Sequence, residues 1–84
     1  MTISEHVVAA LEDYKVAREH VGHLRAFHVT RFSNALESGV AAGQSVSAAR
    51  ELAKATCAQT QAELHDAEAK LDIARATLDV AMMH

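Results

Sequence analysis

Apolar and small residues recur in this chain at steps of three and four, and the pattern in its first half mirrors the pattern in its second. Ile3, Val7, Ala10, Tyr14, Ala17, Val21, Leu24, His28, Phe32 and Ala35 run forward. Leu78, Ala74, Leu71, Ala67, Leu64, Thr60, Cys57, Ala53, Ala49 and Val46 run backward, and each mirrored pair of residue numbers sums to 81. Steps of this kind mark the buried seam of a coiled coil. Mirror pairing is the signature of a chain that folds back on itself once. The fold class expected is all-α: an antiparallel two-helix hairpin in which Ala10 meets Leu71, Ala17 meets Leu64 and Tyr14 meets Ala67, large against small.

The punctuation fits one domain over residues 1–84. Thr2 and Glu5 match a capping box, which predicts helix one from about residue 3 to 38. Gly39 stands where a helix wants a left-handed C-terminal residue, since it carries no Cβ penalty there. The turn is expected over about 39–44, with Gly43 a second permissive point. Ser45 or Ser47 can cap helix two, expected over about 45–82. Consecutive steps of four at Leu24–His28–Phe32 and at Ala49–Ala53–Cys57 are stutters, which locally unwind a supercoil. Under the mirror rule they face each other, and His28 lies opposite Ala53.

Half of the residues are hydrophobic, but much of that content is alanine and the only aromatics are Tyr14, Phe27 and Phe32. A core this thin is hard to stabilise in a two-helix chain of 84 residues, which points to self-association or a partner. The two flanks of the seam differ. One carries Val16, His20, His23 and Phe27 from helix one with Ile73 and Val80 from helix two. The other carries Lys15, Arg18, Gly22 and Arg25, expected to face Glu68 and Asp72. Covering the apolar flank with a second copy yields a homodimeric four-helix bundle, with His20 and His23 in or beside the contact. Imidazoles gain their charge near neutral pH, so such an assembly would respond to acidification.

Gly43-Gln44-Ser45-Val46-Ser47-Ala48-Ala49-Arg50 resembles a segment of small helical-hairpin accessory proteins of actinobacterial phages. There a similar stretch follows one long helix and precedes an Ala/Leu/Glu-rich second one. The resemblance spans eight residues and the general pattern most of the chain. It implies a phage accessory protein acting in the host cytoplasm on a host or phage protein, and it brings no catalytic residues.

Six histidines are present among 84 residues. His20 and His23 lie one turn apart and could reach one metal ion, with Glu19, His28 or a residue across a dimer axis as a third ligand, but the H-E-x-x-H signature of helical zinc sites is missing. Packed or interface histidines are the better expectation, so no cofactor or metal is assigned. Cys57 sits in the seam with no base beside it and reads as a small core residue. A straight rod offers no cleft to gather Ser, His and Asp, and enzymatic activity is not expected. Lys15, Arg18, Arg25 and Arg31 stand against one acid, Glu19, between positions 15 and 31. A small RNA- or DNA-binding hairpin dimer using that basic face is the second reading, although the overall charge of −3 opposes generic nucleic-acid binding. Pairing of Lys15 and Arg18 with Glu68 and Asp72 is the plainer expectation for those charges. No apolar run approaches the ~20 residues of a membrane span, and Glu5 precedes the first short apolar run where a signal peptide would be basic. The cytoplasm is the expected location, and a protein-protein interaction module the expected function.

Overall fold

The computed structural model describes residues 4–83, and these are all-helical: α1 spans Glu5–Ala41, α2 spans Val46–Thr56 and α3 spans Ala58–Met83. The molecule measures 64 × 14 × 14 Å, and its radius of gyration is 18.5 Å. A globular chain of this length has a radius near ~12 Å. Two of its dimensions are only one helix pair wide.

Serines start both capped helices. Ser4 Oγ accepts from the Val7 N–H at 3.3 Å, and Ser45 Oγ accepts from the Ala48 N–H at 3.1 Å. Each satisfies one of the donors that a helix start leaves without a partner. Ser4 is therefore the cap of α1, while Thr2, expected to head a capping box, lies outside the described residues together with Ile3 and His84.

The first helix ends later than expected and at a different glycine. Gly39 remains inside α1, and Gly43 takes the left-handed conformation at φ 92°. The Gly43 N–H donates to the Val40 carbonyl and the Gln44 N–H to the Gly39 carbonyl, at 3.0 and 3.1 Å. These two bonds form a Schellman closure, which requires a residue free of a Cβ at the position Gly43 holds. Gly39 serves packing: it is buried, and a Cβ built on it would stand 2.8 Å from the Ala49 Cβ.

Helix two, expected to be continuous, is divided at Cys57, whose backbone relaxes to φ −100°, ψ 10°. Hydroxyls on both sides of it compete with backbone N–H groups for the helical carbonyls. Thr56 Oγ1 donates to the Leu52 carbonyl and Thr60 Oγ1 to the Cys57 carbonyl, both at 2.9 Å. Back-bonding of this kind loosens and bends helices.

α1 packs against both α2 and α3. Val21, Leu64 and Ala67 form the buried apolar cluster, with Leu24 and Leu71 packed on it. Toward the turn the contact narrows to Ala49, Ala53 and Cys57, each 1% exposed. As residue numbers rise along α1 they fall along its partners. The register differs from the expected one: His28 meets Thr60, and Gly39 meets Ala49. Both pairs of numbers sum to 88, so α2 and α3 are displaced together by one heptad from the mirror rule. His28 consequently does not face Ala53, and the two stutters abut near Phe32 and Cys57 rather than lying opposite each other. Val46, expected in the seam, is exposed.

Candidate interaction surface

The inner face is polar at one point. His28 Nδ1 lies 2.9 Å from Thr60 Oγ1. Since the Thr60 hydroxyl commits its proton to the Cys57 carbonyl, it accepts from the His28 ring, which places a hydrogen on Nδ1. The His28 ring also leans on Phe32, at a centroid distance of 6.3 Å. No buried side-chain nitrogen or oxygen among the described residues lacks a partner.

On one outer flank stand Val16 at 64% exposure, Phe27 at 54%, Ile73 at 66% and Val80 at 54%. Val16, His20, His23 and Phe27 follow at steps of four, three and four, which keeps them on one stripe of α1. Across the seam, Val16 and His20 share a shallow depression with Asp13 and Lys70, and Phe27 shares one with Arg31 and Glu63. Ile73, Ala76 and Val80 carry the apolar surface on along α3. The chain exposes 6288 Å² in total. A compact monomer of 9.0 kDa exposes about 4,900 Å², which leaves an excess of roughly 1,400 Å².

The histidines do not converge. His20 lies beside Asp13 and Lys70, whereas His28, a candidate third ligand, is turned inward to Thr60. Among the described residues no group of three or more His, Cys, Asp or Glu side chains is placed to hold a metal ion.

The four basic residues do not form one patch. Lys15 reaches Glu12 at 4.0 Å, and Arg25 reaches Glu68 at 3.8 Å. Lys15 and Arg18 line a hollow with Glu19, while Arg31 lies on the other flank beside Phe27 and Glu63. The expected pairing of Lys15 and Arg18 with Glu68 and Asp72 is absent among the described residues, because the heptad shift brings Arg25 to Glu68 instead.

One feature escaped the sequence pattern. Opposite the Phe27 stripe, at the division between α2 and α3, a groove of about 390 Å³ is lined by His28, Val29, Phe32, Ser33, Lys54, Cys57 and Gln61. The clustering of Thr56, Cys57 and Thr60, all poor helix formers, is the signal that could have located it.

No family model matches the chain, and searches of curated proteins and of solved structures found no match.

Proposed function

We propose that this chain is a non-enzymatic protein-protein interaction module: an antiparallel helical hairpin that pairs with a second copy to form a four-helix bundle. The observation that carries the reading is the flank bearing Val16, Phe27, Ile73 and Val80, each more than half exposed. Large apolar side chains gathered along one flank mark a surface for contact with a partner. The excess surface of roughly 1,400 Å² exceeds the ~800 Å² that each partner buries in a standard interface. A two-fold axis covers it with no further sequence.

The resemblance of Gly43–Arg50 supports a phage accessory role, in which the dimer engages a host or phage protein in the host cytoplasm. Among the described residues no helix is long and apolar enough to cross a membrane, which is compatible with that setting. Light scattering at micromolar concentration tests the reading. A mass twice the 9.0 kDa of one chain is expected, and a stable single-chain mass overturns the dimer.

Binding of RNA or DNA through Lys15, Arg18 and Arg25 is the second reading, supported by the hollow that Lys15 and Arg18 share. It requires an affinity for duplex RNA or DNA that falls steeply with salt. The interaction reading predicts no such binding at 150 mM salt, a concentration of about the physiological ionic strength.

A further inference from the structure

The stripe of Val16, His20, His23 and Phe27 has the same layout in both directions: apolar, imidazole, imidazole, apolar, at steps of four, three and four. The outer and the inner pair of residue numbers both sum to 43, so the stripe is centred between His20 and His23. A pattern symmetric about its own centre is self-complementary under a two-fold axis, which sets residue i against the partner's j and j against the partner's i. An axis crossing the rod at that centre lays α1 antiparallel on the partner's α1. It sets Val16 against the partner's Phe27, small against large, and His20 against the partner's His23.

Charges beside the stripe match under the same axis. The hollow at Val16 and His20 takes Asp13 from α1 and Lys70 from α3, whereas the hollow at Phe27 takes Arg31 from α1 and Glu63 from α3. Exchanging the two ends therefore brings acid to base along both helices. Lys70 already reaches Asp66 at 3.0 Å within its own chain. The match thus spares the contact like charges rather than holding it together.

His20 and His23 are both exposed, and residues three apart are neighbours on a helix surface. Ligand pairs at i and i+3 serve metal centres in helical bundles. One chain supplies two donors here and, among the described residues, no third His, Cys, Asp or Glu to join them. Two copies about the axis supply four imidazoles. That is a donor set for a tetrahedral zinc ion, and imidazole suits copper and nickel as well.

We infer that the two-fold axis of the dimer carries a site for a divalent transition-metal ion, held by His20 and His23 of both copies. The inference rests on the dimer proposed above and adds its geometry, α1 against α1, with a site that is incomplete in a single chain. An ion bound by the pair and not by one chain shifts the equilibrium toward the pair, so the metal regulates assembly.

The test titrates the untagged chain with zinc chloride at neutral pH by calorimetry, and follows association by sedimentation equilibrium in EDTA and in zinc. One zinc per two chains is expected, with a dimer dissociation constant at least tenfold lower in zinc than in EDTA. His20→Ala and His23→Ala should each abolish the zinc effect, with helicity by circular dichroism confirming that the variants fold. His65→Ala should preserve it, since His65 shares a stripe of α3 with Gln61 and Glu68 on the other flank. Magnesium, which takes oxygen donors, should have no effect. A dimer of equal strength in EDTA and in zinc overturns the metal site and leaves the dimer standing. Zinc binding without a gain in mass, or a zinc effect that survives His20→Ala, also overturns the site. A chain that stays monomeric in both media overturns the dimer and the site with it.

Discussion

Gly39 lies so close to Ala49 that a Cβ added to it would stand 2.8 Å from the Ala49 Cβ and 2.7 Å from Gln44 Oε1. Real Cβ atoms do not approach one another so closely, and the contact therefore anchors the register of α1 against α2. It also explains why a glycine is tolerated inside a helix, where alanine is ordinarily better by about 1 kcal/mol.

Two glycine substitutions should accordingly move in opposite directions. Gly39→Ala should lower stability by about 1–3 kcal/mol, the range for overpacking a close contact. Gly22 is also helical, but a Cβ there meets nothing within 4 Å. Gly22→Ala should raise stability by roughly 0.5–1 kcal/mol. Urea unfolding of both variants checks the pair.

The heptad shift leads to a cross-linking experiment. In a Cys57→Ala background, cysteines at 10 and 78 should form a disulfide within one chain, since that pair obeys the register of His28 with Thr60. Cysteines at 10 and 71 should not, because about 10 Å of helix separates position 71 from position 78. Non-reducing electrophoresis or peptide mass mapping reads the result.

Thr60→Val keeps the shape of the side chain but removes the acceptor for His28 Nδ1 and the donor to the Cys57 carbonyl. A loss of about 1–3 kcal/mol is expected, the cost of leaving a partly buried donor unpaired. The effect of Thr60→Val should shrink when His28 is also replaced by Ala, and a double-mutant cycle measures that coupling.

Leu64 and Leu71 both belong to the seam, but Leu64 is 8% exposed and Leu71 only half-buried. Leu64→Ala should cost about 2–4 kcal/mol and Leu71→Ala clearly less. Thermal unfolding at matched concentration ranks them.

The faces of the helices were legible in the amino-acid sequence, because steps of three and four report which side of a helix is apolar. Within residues 4–83 every seam position named from that spacing is buried or half-buried except Val46. Register was not legible, and the reason lies in the same regularity. Moving the second helix by one heptad replaces Ala10/Leu71 and Ala17/Leu64 with Ala10/Leu78 and Ala17/Leu71, which are equally large against small. What breaks the degeneracy is one close backbone approach, Gly39 on Ala49, and that glycine reads as a helix stop when only local propensity is considered. The division at Cys57 has no apolar signature; it coincides with the hydroxyls of Thr56 and Thr60 bonding to carbonyls on either side. The exposed residues Val16, Phe27, Ile73 and Val80 follow from the helical wheel alone. The groove beside Val29 required the division between α2 and α3 to be seen.

Sedimentation equilibrium of the wild type, Phe27→Asp and Arg25→Asp under identical conditions tests the central claim, that the Val16–Phe27–Ile73–Val80 flank is where a second copy binds. The account predicts dimers for the wild type and for Arg25→Asp, whose position lies on the other flank beside Glu68, and monomers of lower stability for Phe27→Asp. A wild type that stays monomeric, or a dimer that survives Phe27→Asp and dissociates with Arg25→Asp, would contradict it.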